Sequence, residues 1–290
     1  MIEPVRFGFN AATAVNNTFQ KNNGGPLQEK ALQEFNDLVA LLRMNGITVT
    51  VVRDTETPHT PDSIFPNNWI SFHENGTVNL YPMFAHNRRL ERKATVLDAI
   101  RAQFEVATIN DLSHYESKGL FLEGTGSMVL DRDHRLAYAC LSPRTDKAVL
   151  DIFCEQNGYR PVVFSATDEK GIPLYHTNVL MCVADEYVVI CIDAVVTGDR
   201  ETVSATIRST GKELIAITQE QLNRFAGNML QVKNAGGEKL LLMSSQAYGS
   251  LKPDQLDQLA AYNRIVHSPL NTIERAGGGS ARCMMAEIFL

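Results

Sequence analysis

The sequence predicts an α/β protein made of five like units arranged around one axis, and three observations predict it. Five segments of the chain can be laid over one another at a nearly constant period. Stretches with helical spacing of apolar residues fill the intervals between them. No shift in composition divides the 290 residues, so residues 1–290 read as a single domain.

The repeating segments are "FPNNWISFHENGTVNLYPM", "LEGTGSMVLDRDHRLAYACLS", "YHTNVLMCVADEYVVICID", "FAGNMLQVKNAGGEKLLLMSS" and "SARCMMAEIFL". Each opens on small or polar residues and runs into a short apolar strand; the first four then turn at a polar or glycine cluster into a second strand. Their starts, near 65, 122, 175, 225 and 280, lie about 50 to 57 residues apart, too far for one hairpin and far enough to leave a helix in each unit. "GPLQEKALQEFNDLVALLRMNG", "RRLERKATVLDAIRAQF", "TDKAVLDIFCEQNG" and "SPLNTIERAGG" carry that helical pattern, the first stopping at Gly46. "TDEKGIPL" and "SLKPDQLDQL" hold the Pro and Gly that mark loops. The period reads as ββαβ-like units; an ordinary α+β protein with similar hairpins is the alternative the repeat alone leaves open.

Composition narrows the function. A net charge of −6 with scattered Lys and Arg argues against a nucleic-acid partner. The absence of about 18 unbroken apolar residues argues against a membrane span, and the charged opening "MIEPVRFGFN" lacks the apolar run of a secretory signal, so the expected location is cytoplasmic. Five cysteines, 140, 154, 182, 191 and 283, form no CxxC pair, so neither a disulfide framework nor a common zinc site is expected. Four sit in apolar runs as small hydrophobes, while Cys283 follows the run Gly277 to Gly279.

Familiar motifs fail. "EGTGSM" has Val129 where a dinucleotide fingerprint needs its third glycine, and "GGGSAR" has Arg282 where a nucleophile elbow needs its last. Polar residues at the strand entrances remain: Asn67 and Asn68, Glu123, His176 and Asn178, Gly227 and Asn228, and Cys283. If the units surround an axis, these positions converge, and a Cys, a His and a carboxylate meet there. That is the composition of a thiol nucleophile with its proton shuttle.

Taken in order, "FGFNAATAVNNTFQ", "PDSIFPNNW", "NRRLER", "FLEGTGSMVLD", "LSPRTD", "YHTN" and the terminal cysteine resemble the amidinotransferase, arginine deiminase and dimethylarginine dimethylaminohydrolase superfamily. Within it the chain is similar to the bacterial arginine deiminase-related group labelled citrulline-utilisation hydrolases. The resemblance spans nearly the whole chain and implies a five-bladed pseudo-symmetric α/β propeller, the pentein fold. It further implies Cys283 as nucleophile, His176 as general acid and base, and Glu123 as the carboxylate that orients the substrate nitrogens. Asp62, Asn67, Asn68 and Asn178 fall at substrate-binding places, and Arg144 with one of Arg88 or Arg89 falls where relatives hold an amino-acid carboxylate. No cofactor and no metal are implied. The glycine run would let backbone approach the ligand and hold Cys283 at the head of the last short strand, or serve only as a flexible linker.

One departure bears on substrate. Guanidino-processing relatives place a carboxylate at the end of an F-x-x-D motif, and the deiminases place another two residues after the histidine. Here those positions are Asn68 and Asn178. A carboxylate only accepts hydrogen bonds, which suits an all-donor guanidinium, whereas an amide also donates and suits a ureido carbonyl. The reading is therefore a cysteine-dependent hydrolase of the ureido or guanidino C–N bond of an arginine-like amino acid, citrulline first. Arginine, methylated or acylated arginine, and a non-catalytic pentein that binds a macromolecule are the alternatives. A homodimer stays open.

Overall fold

A computed structural model describes every residue of the chain except Asn23. Its strands form five small sheets. The fifth is stitched from the chain's beginning: β1 (Ile2–Glu3) pairs in parallel with β2 (Val52–Arg53), joined through the helix Leu27–Met44. The other four repeat one plan. In the first, β3 (Ile70–Phe72) pairs antiparallel with β4 (Thr77–Leu80), and the helix Ala94–Arg101 crosses over to β5 (Thr108–Asp111), parallel to β4. The second uses β6 (Val129–Asp131), β7 (Leu136–Cys140), the helix Lys147–Asn157 and β8 (Arg160–Phe164). The third uses β9 (Met181–Val183), β10 (Tyr187–Ile190), the helix Thr197–Ser209 and β11 (Glu213–Ala216). The fourth uses β12 (Leu230–Lys233), β13 (Lys239–Ser244), the helix Pro253–Ala260 and β14 (Arg264–Ser268). A parallel pair requires such a crossover, which is why each hairpin is followed by a helix.

The middle strands explain the unbroken apolar runs. β4, β7 and β10 are buried at every position, because a strand covered on both faces has no solvent side to alternate toward. β8 and β11 show the alternation of partly exposed strands. The inner strands β6, β9 and β12 line an axial cavity of about 750 Å³, walled by Val129, Asp131, Met181, Val183, Leu230 and Val232.

Two stretches differ from the sequence reading. "SLKPDQLDQL" is mostly helix: Pro253 occupies its first turn, where a missing N–H costs nothing, so the proline starts the element instead of breaking it. The terminal segment is not a strand at its head. Ala281–Met284 is one 3₁₀ turn, followed by an extended stretch outside any sheet. That stretch closes the ring by packing, since Ala286, Ile288 and Leu290 join Ile2, Trp69 and Ile70 in one apolar cluster. On the other side the helix Leu27–Met44 buries Phe35, Leu38 and Leu42 with Ile273, Leu242 and Met284. Among the described residues no helix is long and apolar enough to cross a membrane.

Candidate active site

Four of the five strand entrances fold as a single helical turn: Pro66–Asn68, Gly124–Ser127, Thr177–Val179 and Ala281–Met284. In the remaining unit, Asn228 N–H closes a turn onto the Phe225 carbonyl at 2.8 Å. A turn before a strand rotates side chains off the sheet and toward the axis, and residues from five units thereby meet.

Cys283 comes from the last turn and is nearly buried. Its Sγ accepts from Asn178 Nδ2 at 3.3 Å and from Asn228 Nδ2 at 3.2 Å. Two amide N–H groups aimed at one sulfur would stabilise negative charge on it. Burial pushes the thiols of Cys140 and Cys191 up to about 11 and those of Cys154 and Cys182 up to about 12, so these four behave as core hydrophobes.

His176 Nε2 lies 2.8 Å from Glu123 Oε2, and both side chains are buried. Burial would raise the Glu123 carboxyl, but Arg144, the His176 hydrogen bond and Arg88 outweigh it and hold it down to about 2. Burial also pulls the His176 imidazole down to about 4, despite the opposing pull of Glu123. An ionised Glu123 fixes Nε2 as the donor, so neutral His176 keeps the lone pair on Nδ1 for proton transfer. An NMR titration of His176 should therefore show the ring neutral from pH 7 down to pH 5. In that window the folded state binds fewer protons than the unfolded chain, whose imidazole titrates near 6.5, so acidification removes stability through this group. A ring that titrates near 6.5 in the folded protein would overturn this description.

Arg144 lies 3.5 Å from Glu123 Oε2 and over the Tyr175 ring. Its fork is filled by Asn16 Oδ1, at 2.8 Å and 2.5 Å, and by the Thr13 carbonyl at 2.6 Å. Arg88 grips Glu91 through two contacts of 2.9 Å and donates to Asn68 Oδ1 at 2.7 Å. Of the two neighbouring arginines, only Arg88 reaches the cavity; Arg89 turns outward to the Met83 and Phe84 carbonyls and to Glu116. Asp62 Oδ2 accepts from Asn10 Nδ2 at 2.7 Å and Thr13 Oγ1 at 3.0 Å, and burial raises its carboxyl above the usual range. Asn67 points away, to Thr125 Oγ1 at 3.3 Å, and Asn178 meets the nucleophile sulfur.

Sequence reasoning gave no role to the cover of the site. Residues 10–21 lie across it: Asn17 Nδ2 donates to the Gly278 carbonyl, Gln20 Nε2 to the Ala276 carbonyl and Lys21 N to the Arg275 carbonyl. Beneath them the cavity has a volume of about 10 Å³, room for one water molecule. A molecule larger than water can enter only if this segment lifts. The glycines of "EGTG" also acquire a reason. A methyl group on Gly126 would sit 2.7 Å from His176 Nδ1 and collide with Asn68 Nδ2, so only glycine lets the three units close on one another. Gly277 to Gly279 serve the same end, since side chains there would strike Phe65, Asn17 or Gln20. Among the described residues no group of three or more His, Cys, Asp or Glu is placed to hold a metal ion.

This architecture matches solved structures. The N-terminal domain of ArgZ, an arginine dihydrolase from the ornithine-ammonia cycle in cyanobacteria, solved as a cysteine mutant bound to substrate, has a TM-score of 0.77 and 18% identity, covering 100% of this chain and 98% of that one. Against apo ArgZ the TM-score is again 0.77 at 18% identity over 99% of this chain, which spans 40% of the length of that longer protein. The dimethylarginine dimethylaminohydrolase adduct with S-methyl-L-thiocitrulline has a TM-score of 0.63 and 15% identity, covering 98% of this chain and 96% of that one. At such identities the likeness shows the fold alone, the five-bladed α/β propeller of the penteins. No curated protein sequence matches the chain. A family model does: the one described as N,N dimethylarginine dimethylhydrolase, eukaryotic, matches residues 3–290. The chain therefore belongs to the N,N-dimethylarginine dimethylhydrolase family.

Proposed function

We propose that the chain hydrolyses the C–N bond at the ureido carbon of a citrulline-like amino acid. His176 Nδ1 takes the thiol proton of Cys283 as the sulfur attacks that carbon, and the imidazolium so formed delivers that proton to the departing nitrogen. Water activated by the same imidazole then cleaves the resulting thiocarbamate. Arg144 takes the substrate carboxylate once Asn16 withdraws.

One observation carries the choice of headgroup. Asn68 gives its carbonyl oxygen to Arg88 and one amide hydrogen to Asn67 Oδ1 at 3.1 Å, which leaves its second N–H without a partner among the described residues, on a side chain lining the cavity. A guanidinium has no acceptor to offer that N–H, whereas a ureido carbonyl does. Asp62 Oδ1 and Asn178 Oδ1 are buried acceptors without partners among the described residues, and can receive substrate N–H groups.

A second reading has its own support. Asp62 is a buried carboxylate beside the cavity, and ArgZ is described as an arginine dihydrolase, so arginine is the competing substrate. Two successive hydrolyses of a guanidinium must pass through a ureido compound, which the same Asn68 would then serve. Ammonia release from citrulline and arginine, and dimethylamine release from dimethylarginine, measured side by side, separate the readings. Citrulline is expected to show the highest kcat/KM. Asn68→Asp should lower that value roughly 10- to 100-fold by turning an acceptor toward the carbonyl. Wild-type silence on citrulline with turnover of arginine would overturn the ureido reading.

A further inference from the structure

We propose that Asn228 is a further catalytic residue: its side-chain N–H holds the charge of the Cys283 sulfur both before attack and when the sulfur leaves. The sequence places it at the entrance of the fourth unit with no role attached, and the chemistry does not otherwise use it.

Its amide orientation is fixed by two backbone groups that admit no alternative. Oδ1 receives the Arg282 N–H at 3.0 Å, which can only donate, and Nδ2 gives to the Asn178 carbonyl at 2.8 Å, which can only accept. The group facing Sγ at 3.2 Å is therefore an N–H. Asn178 differs, because its Oδ1 has no partner among the described residues and so no backbone contact fixes its orientation.

The local backbone is shaped for this reach. Phe225 adopts a left-handed φ of 62°, which a non-glycine residue seldom holds without reason. A methyl group on Gly227 would stand 2.7 Å from the Leu180 carbonyl carbon, so glycine is what lets this turn press against the third unit. Asn228 at its end is wholly buried. Through Arg282 N–H the same amide also anchors the turn that carries the nucleophile, so one side chain sets the position of the sulfur and stabilises its charge.

In the first half-reaction the thiolate forms the S–C bond, the C–N bond breaks, and His176 passes to the departing nitrogen the proton that its Nδ1 took from the Cys283 thiol. In the second half water adds to the carbon, the S–C bond breaks, and the electron pair returns to Sγ, where the Asn228 N–H receives it. A donor at this point acts on both steps and does not touch the substrate.

Iodoacetamide alkylation of Cys283 across pH, with peptide mapping to separate it from the other four cysteines, tests the proposal without any substrate; it rests on Cys283 as nucleophile and stands whichever headgroup is cleaved. Asn228→Ala is expected to slow alkylation at neutral pH about 10- to 100-fold and to move the half-maximal rate to higher pH. Asn228→Asp keeps the shape and the acceptor for Arg282 but removes the donor, so it should be at least as slow as the alanine variant. Turnover in both should fall in kcat more than in KM. Wild-type alkylation profiles in Asn228→Asp, with a loss confined to Asn228→Ala, would show a packing role and overturn the proposal. If the aspartate variant does not fold, an unshifted profile in Asn228→Ala overturns it alone.

Discussion

Cys283→Ser is expected to reduce turnover by about 10⁴-fold or more while leaving the melting temperature within a few degrees of wild type. A serine hydroxyl holds its proton far more tightly than a thiol does, and the two amide donors beside the attacking atom can hold a charged sulfur but draw no proton from a hydroxyl. The substitution removes little packing, because it replaces one sulfur by oxygen and keeps the Cβ that lies beside Gly279. Steady-state kinetics at saturating substrate and a thermal melt check both halves. Intact-protein mass spectrometry adds a third: wild type quenched during turnover should carry a fragment on Cys283 that the serine variant lacks. Turnover within tenfold of wild type would remove Cys283 from the mechanism.

Glu123→Gln should lower kcat by about 10²- to 10⁴-fold and destabilise the fold by about 3 to 5 kcal/mol. The first effect follows from His176. Glutamine offers its ring no charge, and the tautomer with the lone pair on Nδ1 is no longer enforced. The second follows from the arginines. Glu123 is the anion nearest to Arg144 among their ion pairs and lies 3.9 Å from Arg88 Nη1, so a neutral side chain strands buried positive charge. Kinetics and urea denaturation, run on the same preparation, read the two effects separately. A variant that is stable and active would mean that the His176 and Glu123 contact organises nothing.

Much of this was legible as pattern. The hairpins announce themselves by apolar runs with polar turns, and the polar strand entrances stand out because they interrupt otherwise apolar stretches. The convergence of Cys283, His176 and Glu123 needed only the assumption of an axis. What stayed hidden depends on contacts between residues far apart in the chain. Nothing local says that Asn16 fills Arg144, 128 residues away, or that Gly126 exists to admit the Asn68 and His176 side chains. Asn178 reads from its position as a substrate contact, and nothing local announces that its Nδ2 also meets a sulfur 105 residues further on. Pro253 misleads for a different reason: proline punctuates chains at loops and at helix starts alike, and only the following "DQLDQLA" decides.

The fifth unit has its first strand near residue 2 and its nucleophile at residue 283, so the ring is completed by the two ends of the described chain. A ribosome releases the first of these pieces long before the second. Four units can assemble from residues 65–268 while the helix Leu27–Met44 waits for Ile273 and Met284, which have not yet been made. Bridging such a span adds little free energy, because each doubling of a loop adds only about 0.6 kcal/mol. It does delay the bond from Asn17 to Gly278, 261 residues apart, until the end. The site thus stays incomplete until translation has passed Cys283, and a chain abandoned earlier lacks this thiol altogether.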